Sequence, residues 1–279
     1  VCQTLYKSKG WNSEEVVREE EKMRRNLVWQ YYIPYESFDK DMGGVKMPDW
    51  ACSGSRSAST YAKHCDADYQ LTHERYFPHL DPRLDSLRII YDPYFEQFEE
   101  ILSIDLDMLI HSKCPNIFNT PIDDVAMVHE LGIFSGNAKN WLNNVMTPPQ
   151  SKRGIHAYGK MLFGADWKFP KSYLYPMEEY RYMNGGVQLW SRDGRMKARE
   201  YFTSVDHYVL HTRYTEQMYI NLQLSQPEFN VTELDTKWNR LSSYQWKPNP
   251  DGYINHFLAR SKFSMPKLEN TELSIWQPI

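Results

Sequence analysis

Short runs of branched and aromatic residues alternate in this chain with helical stretches, and that alternation restricts it to a small set of folds. Residues 27–33 (Leu-Val-Trp-Gln-Tyr-Tyr-Ile) suit a pleated surface and stop at Pro34, so they read as a strand. A helical pattern covers 53–64, and Asp68–Thr72 reads as a second short strand. Strand, helix, strand in that order predicts a parallel pair joined by a right-handed crossover. Asp81-Pro82 and Asp92-Pro93 each place a capping Asp before a proline at the first helical position. The second of these opens a helix over 92–99 that feeds an apolar strand at 101–104. Val125–His129 and 182–190 read as further strands, the latter entered through Gly185-Gly186, with Asp193 capping the helix behind it. A helix runs from Thr215 to about Leu224, and short strands follow at 229–234 and 252–257. Residues 13–25 read as a charged peripheral helix capped by Ser13, and 138–145 as another helix. The expectation is an α/β fold with a mixed, mainly parallel central sheet flanked by helices in one domain. That domain spans 27–263, with halves at 27–130 and 131–263, after an N-terminal extension at 1–26 and before a tail at 264–279.

Composition removes several classes of function. A chain of 279 residues with 41% apolar content supports a proper core. Its net charge of -4 supplies no general basic field, so nucleic acid is not an expected partner. No apolar run approaches the length of a membrane span and the first ten residues hold no apolar leader, which predicts no stable membrane insertion. Four cysteines without Cys-x-x-Cys spacing read as reduced thiols, and the expected location is the cytoplasm.

Chemistry enters through Asp-x-Asp, which occurs three times, at Asp39/Asp41, Asp66/Asp68 and Asp105/Asp107. The first two pairs lie in polar, turn-like stretches where Asp serves local hydrogen bonding. Only Asp105/Asp107 has apolar residues on both sides, in Ile101-Leu-Ser-Ile-Asp-Leu-Asp-Met-Leu-Ile110. Carboxylates at i and i+2 of a strand that is just ending can both turn toward one point beyond the sheet. Two hard oxygen ligands in such a cleft predict a divalent cation.

Five elements then come in order: the β-α-β half, the apolar strand with Asp-x-Asp, Asn184-Gly-Gly-Val-x-Leu, a helix opening Thr215-Glu-Gln, and His256-Phe-Leu-Ala-Arg-Ser-Lys262. Over roughly 27–263 this resembles the GT-A glycosyltransferases, most closely the branch of glycogenin and the bacterial galactosyltransferases. The resemblance implies that Asp105 and Asp107 bind Mn2+ or Mg2+, with His256 as third ligand, and that Lys262 contacts the diphosphate. Ala259 stands where the family's motif has glycine. It further implies that Tyr31, Tyr32 and Ile33 line the nucleotide base, that Arg88 is a basic residue near the donor, and that Asn184, Gly185, Gly186 and Gln217 lie under the donor sugar. Glu216 is the candidate for touching the sugar or acting as general base, with Asp166 and Asp235 in reserve for base and acceptor binding. The implied partners are a nucleotide-sugar donor, UDP-linked first, and a glycan acceptor. The style of the sequence also resembles glycosyltransferases that large algal viruses encode for their capsid glycans, a xylosyltransferase among them, which would place it in the host cytoplasm.

Two other readings keep the Asp pair. A haloacid-dehalogenase-type phosphotransferase uses apolar-strand-Asp-x-Asp with Mg2+, but expects Thr or Val where Leu109 stands. A catalytically silent nucleotide-sugar binding protein would keep the fold without turnover.

Overall fold

The computed structural model describes residues 25–33, 46–130, 155–168, 170, 181–205, 215–241 and 249–268. The helices expected at 13–25 and 138–145 lie outside them. Six strands form the main sheet: β1 (Arg25–Tyr31), β2 (Asp68–Thr72), β3 (Phe98–Ile104), β5 (Val125–His129), β6 (Met183–Ser191) and β7 (Val231–Leu234). Their spatial order is β2-β1-β3-β6-β5-β7. β1 runs parallel to β2 and to β3, β5 runs parallel to β7, and β6 alone is antiparallel to its neighbours β3 and β5. This is the mixed, mainly parallel sheet that the sequence predicts.

Alternation along the strands sends side chains to two separate cores, since successive residues face opposite sides of a sheet. Leu27, Trp29, Ile101, Val125, Met127 and Trp190 enter one core. It also takes residues of α4 (Arg192–Tyr201) and α5 (Thr215–Gln223). Val28, Leu102, Ile104, Ala126, Val128 and Leu189 enter the other, against α1 (Asp49–His64). Both faces are therefore covered, as strands this apolar require. Two buried indoles have partners for their N–H groups, Trp29 donating to Thr72 Oγ1 at 2.9 Å and Trp190 to Gln188 Oε1 at 3.0 Å, while Trp50 Nε1 has none among the described residues.

Several local expectations are corrected. The carboxylates of Asp81 and Asp92 do cap, accepting from Arg83 N and Tyr94 N, both at 3.0 Å. Asp92, however, leads only into one short 3-10 turn, Pro93–Gln97, with β3 already begun at Phe98. After Asp81 comes a 3-10 turn, Pro82–Leu87, continued by the four-residue α2 (Arg88–Tyr91). Helix α4 is capped by Ser191, whose hydroxyl accepts from Gly194 N at 2.9 Å, and Asp193 sits in its first turn. Helix α1 starts at Asp49, where an acid meets the positive end of the helix dipole. The remaining helices are α3 (Ile155–Phe163) and α6 (Met265–Leu268).

A second, small sheet in the order β4-β9-β8 joins β4 (Met108–Ile110), β8 (Arg240–Leu241) and β9 (Ile254–His256). It positions the site, because β4 begins directly after Asp107 and pairs antiparallel with β9, Met108 opposite His256. One hydrogen-bonded register thus brings an imidazole from far along the chain next to the Asp pair.

Candidate active site

Asp105-Leu106-Asp107 is the turn between β3 and β4, and its backbone is pinned on four sides. Asp105 N donates to Gly186 O at 3.0 Å, Phe257 N donates to Asp107 O at 2.7 Å, and Gln30 Nε2 donates to Asp105 O at 3.1 Å. The fourth contact is steric. A Cβ on Gly54 of α1 would lie 1.8 Å from Leu106 O, so only glycine lets the helix press against this turn. Ser57, one turn further on, accepts from Ile110 N at 2.8 Å.

The carboxylates and His256 converge. One ligand atom from each of Asp105, Asp107 and His256 lies within 4.8 Å of the others. Three such atoms always leave a point within roughly 2.8 Å of all of them, a small relaxation away from metal–ligand bonds of about 2.0–2.6 Å. His256 Nε2 is 3.2 Å from Asp107 Oδ1 and 3.8 Å from Asp105 Oδ2, while its Nδ1 meets Asn239 Oδ1 at 3.0 Å. Two carboxylates and one imidazole fit a divalent transition ion, which nitrogen ligands favour over Ca2+. Partial burial and the neighbouring negative charge of Asp107 push Asp105 up to about 6. Burial pushes Asp107 upward too, but the charges of His256 and Lys262 outweigh it and leave Asp107 below the ordinary range. For His256 burial acts downward and is outweighed by Asp107, Asp105 and Glu130, so the imidazole is raised.

The turn stands at the junction of a bipartite cleft. One lobe, of about 210 Å³, is bounded by Tyr31, Tyr32, Ile33, Trp50, Arg83 and Lys262. The other, of about 190 Å³, includes Glu130, Asn184, Gly185, Gly186, Gln217 and His256. Tyr31, Asp105, Asp107 and Glu216 border both. Neither lobe alone reaches the roughly 300 Å³ of the smallest ligand sites. Their four shared residues make the lobes neighbours, with Asp105 and Asp107 on the wall between them.

In the first lobe Tyr31 stacks on Trp29 with centroids 5.4 Å apart, and its hydroxyl donates to Arg83 O at 3.3 Å. Tyr32 donates to Lys46 O at 3.4 Å. Lys262 is 3% exposed, with Nζ 4.3 Å from the centroid of Trp50. In the second lobe, Gly185 and Gly186 bulge out of the β5 pairing, where Met127 faces Gln188 but Val128 faces Asn184. A Cβ on Gly186 would lie 2.6 Å from Met108 Cε and 2.9 Å from Asp105 Oδ2, so this glycine is needed for the metal end to close. Gly185 has space, its nearest neighbour being Gln217 at 3.5 Å. Glu216 Oε2 is buried and has no hydrogen-bond partner among the described residues. Burial pushes Glu216 up to about 7.

Three expected site residues stand elsewhere. The Arg88 guanidinium is held by Asp92 at 2.8 Å and lies over the Tyr76 ring; Arg83, one turn earlier, is the arginine at the cleft. The Asp235 carboxylate caps the turn Thr236–Asn239, accepting from Lys237 N at 2.8 Å. Asp166 is exposed on the turn after α3. Of the two other Asp-x-Asp pairs, Asp39/Asp41 falls outside the described residues. Asp66 turns the chain with φ 53° and Asp68 pairs with Arg25 at 3.5 Å.

Beyond Arg83 and Trp50, Glu130 and Asn239 also have no counterpart among the sequence candidates. Glu130, 3% exposed, follows the buried strand β5 as Asp105 follows β3, so an acid directly after an apolar strand was its signal. Its Oε2 accepts from Asn184 Nδ2 at 2.7 Å and Gln217 Nε2 at 3.1 Å, and burial pushes it up to about 7 against the pull of these hydrogen bonds. Asn239, fully buried, lies in the turn Thr236–Asn239, and nothing in the surrounding sequence marks it.

The geometry defines a candidate divalent-metal centre between two adjoining lobes. No family model matches the sequence, and no curated protein does. Solved structures give likenesses at low similarity. A glycosyltransferase involved in glycosylation of the major capsid of PBCV-1 superposes with TM-score 0.49 at 12% identity, covering 88% of this chain and 99% of that one. The galactosyltransferase LgtC, in complex with donor and acceptor sugar analogs, gives TM-score 0.46 at 10% identity, covering 88% and 96%. Mouse xyloside xylosyltransferase 1 gives TM-score 0.46 at 12% identity, covering 85% and 98%. Among the described residues no helix is long and apolar enough to cross a membrane.

Proposed function

We propose that this chain is a metal-dependent glycosyltransferase that moves a sugar from a nucleotide diphosphate donor, UDP-linked first among the candidates, to a hydroxyl of a glycan acceptor. The observation that carries this is that Asp105 and Asp107, with His256 beside them, border both of two lobes of different character. An aromatic lobe with a buried lysine suits a nucleoside and its phosphates. A lobe floored by backbone glycine and walled by buried carboxylates and amides suits sugar hydroxyls. Asp105, Asp107 and His256 would hold a divalent ion, Mn2+ by their donor set, which would neutralise charge on the departing diphosphate.

The chain's own groups take the other roles. Tyr31, Tyr32 and Ile33 line the base, with Arg83 in place of Arg88 as the basic residue on that wall. Lys262 adds a point charge toward the phosphates. Asn184, Gly185, Gly186 and Gln217 form the floor of the sugar lobe. Glu216, with a buried oxygen lacking a partner and its proton affinity near neutrality, accepts a sugar hydroxyl or takes up a proton.

The test is a donor panel with Mn2+: thermal shift and slow hydrolysis across UDP-glucose, UDP-galactose, UDP-xylose, GDP-mannose and GDP-fucose. Stabilisation by at least one, lost on addition of chelator and in Asp107→Ala, is expected. No response to any donor would remove the proposal.

A further inference from the structure

We propose that Asn239 is a positioning residue: its side-chain amide, oriented from the glycine bulge through Asn184, holds His256 in the tautomer that turns a bare Nε2 toward Asp105 and Asp107. The proposal rests on the metal-centred reading above. It adds a chain of hydrogen bonds whose direction cannot be reversed.

An amide side chain has one donating and one accepting end of similar shape, so its neighbours decide which way it lies. A backbone N–H leaves no choice. Gly186 N donates to Asn184 Oδ1 at 2.8 Å, which turns Asn184 Nδ2 to Glu130 Oε2 at 2.7 Å. Asn239 Nδ2 donates to the same Asn184 oxygen at 2.6 Å, leaving Asn239 Oδ1 facing His256 Nδ1 at 3.0 Å. An amide oxygen only accepts, so it holds a hydrogen on Nδ1 against the pull of the Asp107 carboxylate, which faces Nε2 at 3.2 Å. A parallel branch does the same for the sugar lobe: Gly185 N donates to Gln217 Oε1 at 2.9 Å, and Gln217 Nε2 donates to Glu130 Oε2 at 3.1 Å. Both branches end on one oxygen of Glu130.

Burial makes this chain decisive. Asn239 is 0% exposed, Glu130 3%, Gln217 6% and Asn184 7%, so water does not stand in for a lost partner. Without the Asn239 oxygen, the imidazole gains by placing its hydrogen on Nε2, which lies 3.2 Å from Asp107 Oδ1. That hydrogen would occupy the lone pair a metal ion needs. Outer partners that fix a ligand's tautomer are worth about 10–100-fold in metal affinity. Gly186, under the sugar lobe, therefore also sets the polarity of the metal ligand.

The experiment reads the tautomer in the metal-free protein from the ring-nitrogen chemical shifts of His256, above the pH at which it is neutral, and measures Mn2+ affinity by calorimetry. Wild type is expected to populate the Nδ1–H form beside the Nε2–H form that Asp107 favours. Asn239→Leu should shift it toward Nε2–H and weaken Mn2+ by about 10–100-fold. Asn239→Asp, which keeps an acceptor toward Nδ1, should retain the tautomer. A wild type with no detectable Nδ1–H form overturns the proposal and needs no variant to fold. Mn2+ bound by wild type and equally tightly by Asn239→Leu overturns it as well, with the metal reading intact. No Mn2+ binding by a wild type that shows Nδ1–H sinks the metal reading and, with it, the assigned purpose of the chain.

Discussion

Replacing Glu130 by Gln should change how stability depends on pH. In the fold this carboxyl is pushed from 4.5 up to about 7 by burial, and it is only 3% exposed. An acid raised in the folded state binds its proton more tightly there than in the unfolded chain. Below pH 4.5 both states are protonated and the group contributes nothing; as pH rises from about 4.5 to about 7 stability is lost; above 7 the full cost remains. The gap between 4.5 and about 7, at 1.36 kcal/mol per pH unit, amounts to about 3 kcal/mol. Gln does not titrate, yet offers an oxygen to Asn184 and Gln217. The difference in unfolding free energy between Glu130→Gln and wild type should therefore grow in the variant's favour by about 3 kcal/mol from pH 4 to pH 8, whatever its offset at pH 4. Glu216 titrates in both proteins and cancels. Urea unfolding with chelator present, at five pH values, measures this directly. A difference that stays flat across the range would show that Glu130 is not buried as an acid of raised proton affinity.

Three further outcomes rest on particular contacts. Mn2+ affinity, read by calorimetry, should rise from pH 5 to pH 7.5, because Asp105 at about 6 and the raised His256 must both give up protons before they ligate; a flat profile would place the ion elsewhere. Gly54→Ala should lower stability by about 3 kcal/mol or more and weaken Mn2+ binding, since its Cβ would meet Leu106 O at 1.8 Å; a melting temperature equal to wild type contradicts the close approach. Asp235→Ala should lose about 1 kcal/mol of stability as a missing cap while keeping donor-induced thermal shifts; intact stability with abolished donor response would return Asp235 to the cleft.

Much of the framework is legible in the sequence because it depends on local pattern. β2 and β5 have the bounds that their branched and apolar residues announce, and the Asp–Pro caps work as Asp–Pro pairs do. Element types were harder where a turn competes with a helix. After Asp92 the chain has only five residues before Phe98 enters the sheet, so a 3-10 turn takes the space of the expected helix. The Asp105/Asp107 pair was readable because an apolar strand delivers it. Arg83 and Arg88 could not be told apart, since both lie near the start of short helical turns. An aspartate holds each of them, Asp81 for Arg83 and Asp92 for Arg88, and only the assembled fold brings Arg83 to the cleft wall. Gly54 and Asn239 left no signal at all. One matters for the side chain it lacks, the other for partners that only the assembled fold brings near.

The pairing of β4 with β9 has a consequence for the order in which this protein comes into being. Asp105 and Asp107 leave the ribosome well before His256, and at roughly ten residues per second the interval is on the order of ten seconds. For much of that time β3 also lacks β6, the neighbour on its second edge. The nascent chain therefore carries the two acids with neither the imidazole nor the closing register that makes them a pair of ligands. Competence to hold the ion arrives with β9, so a product cut short before that strand would be born unable to do what the longer chain does.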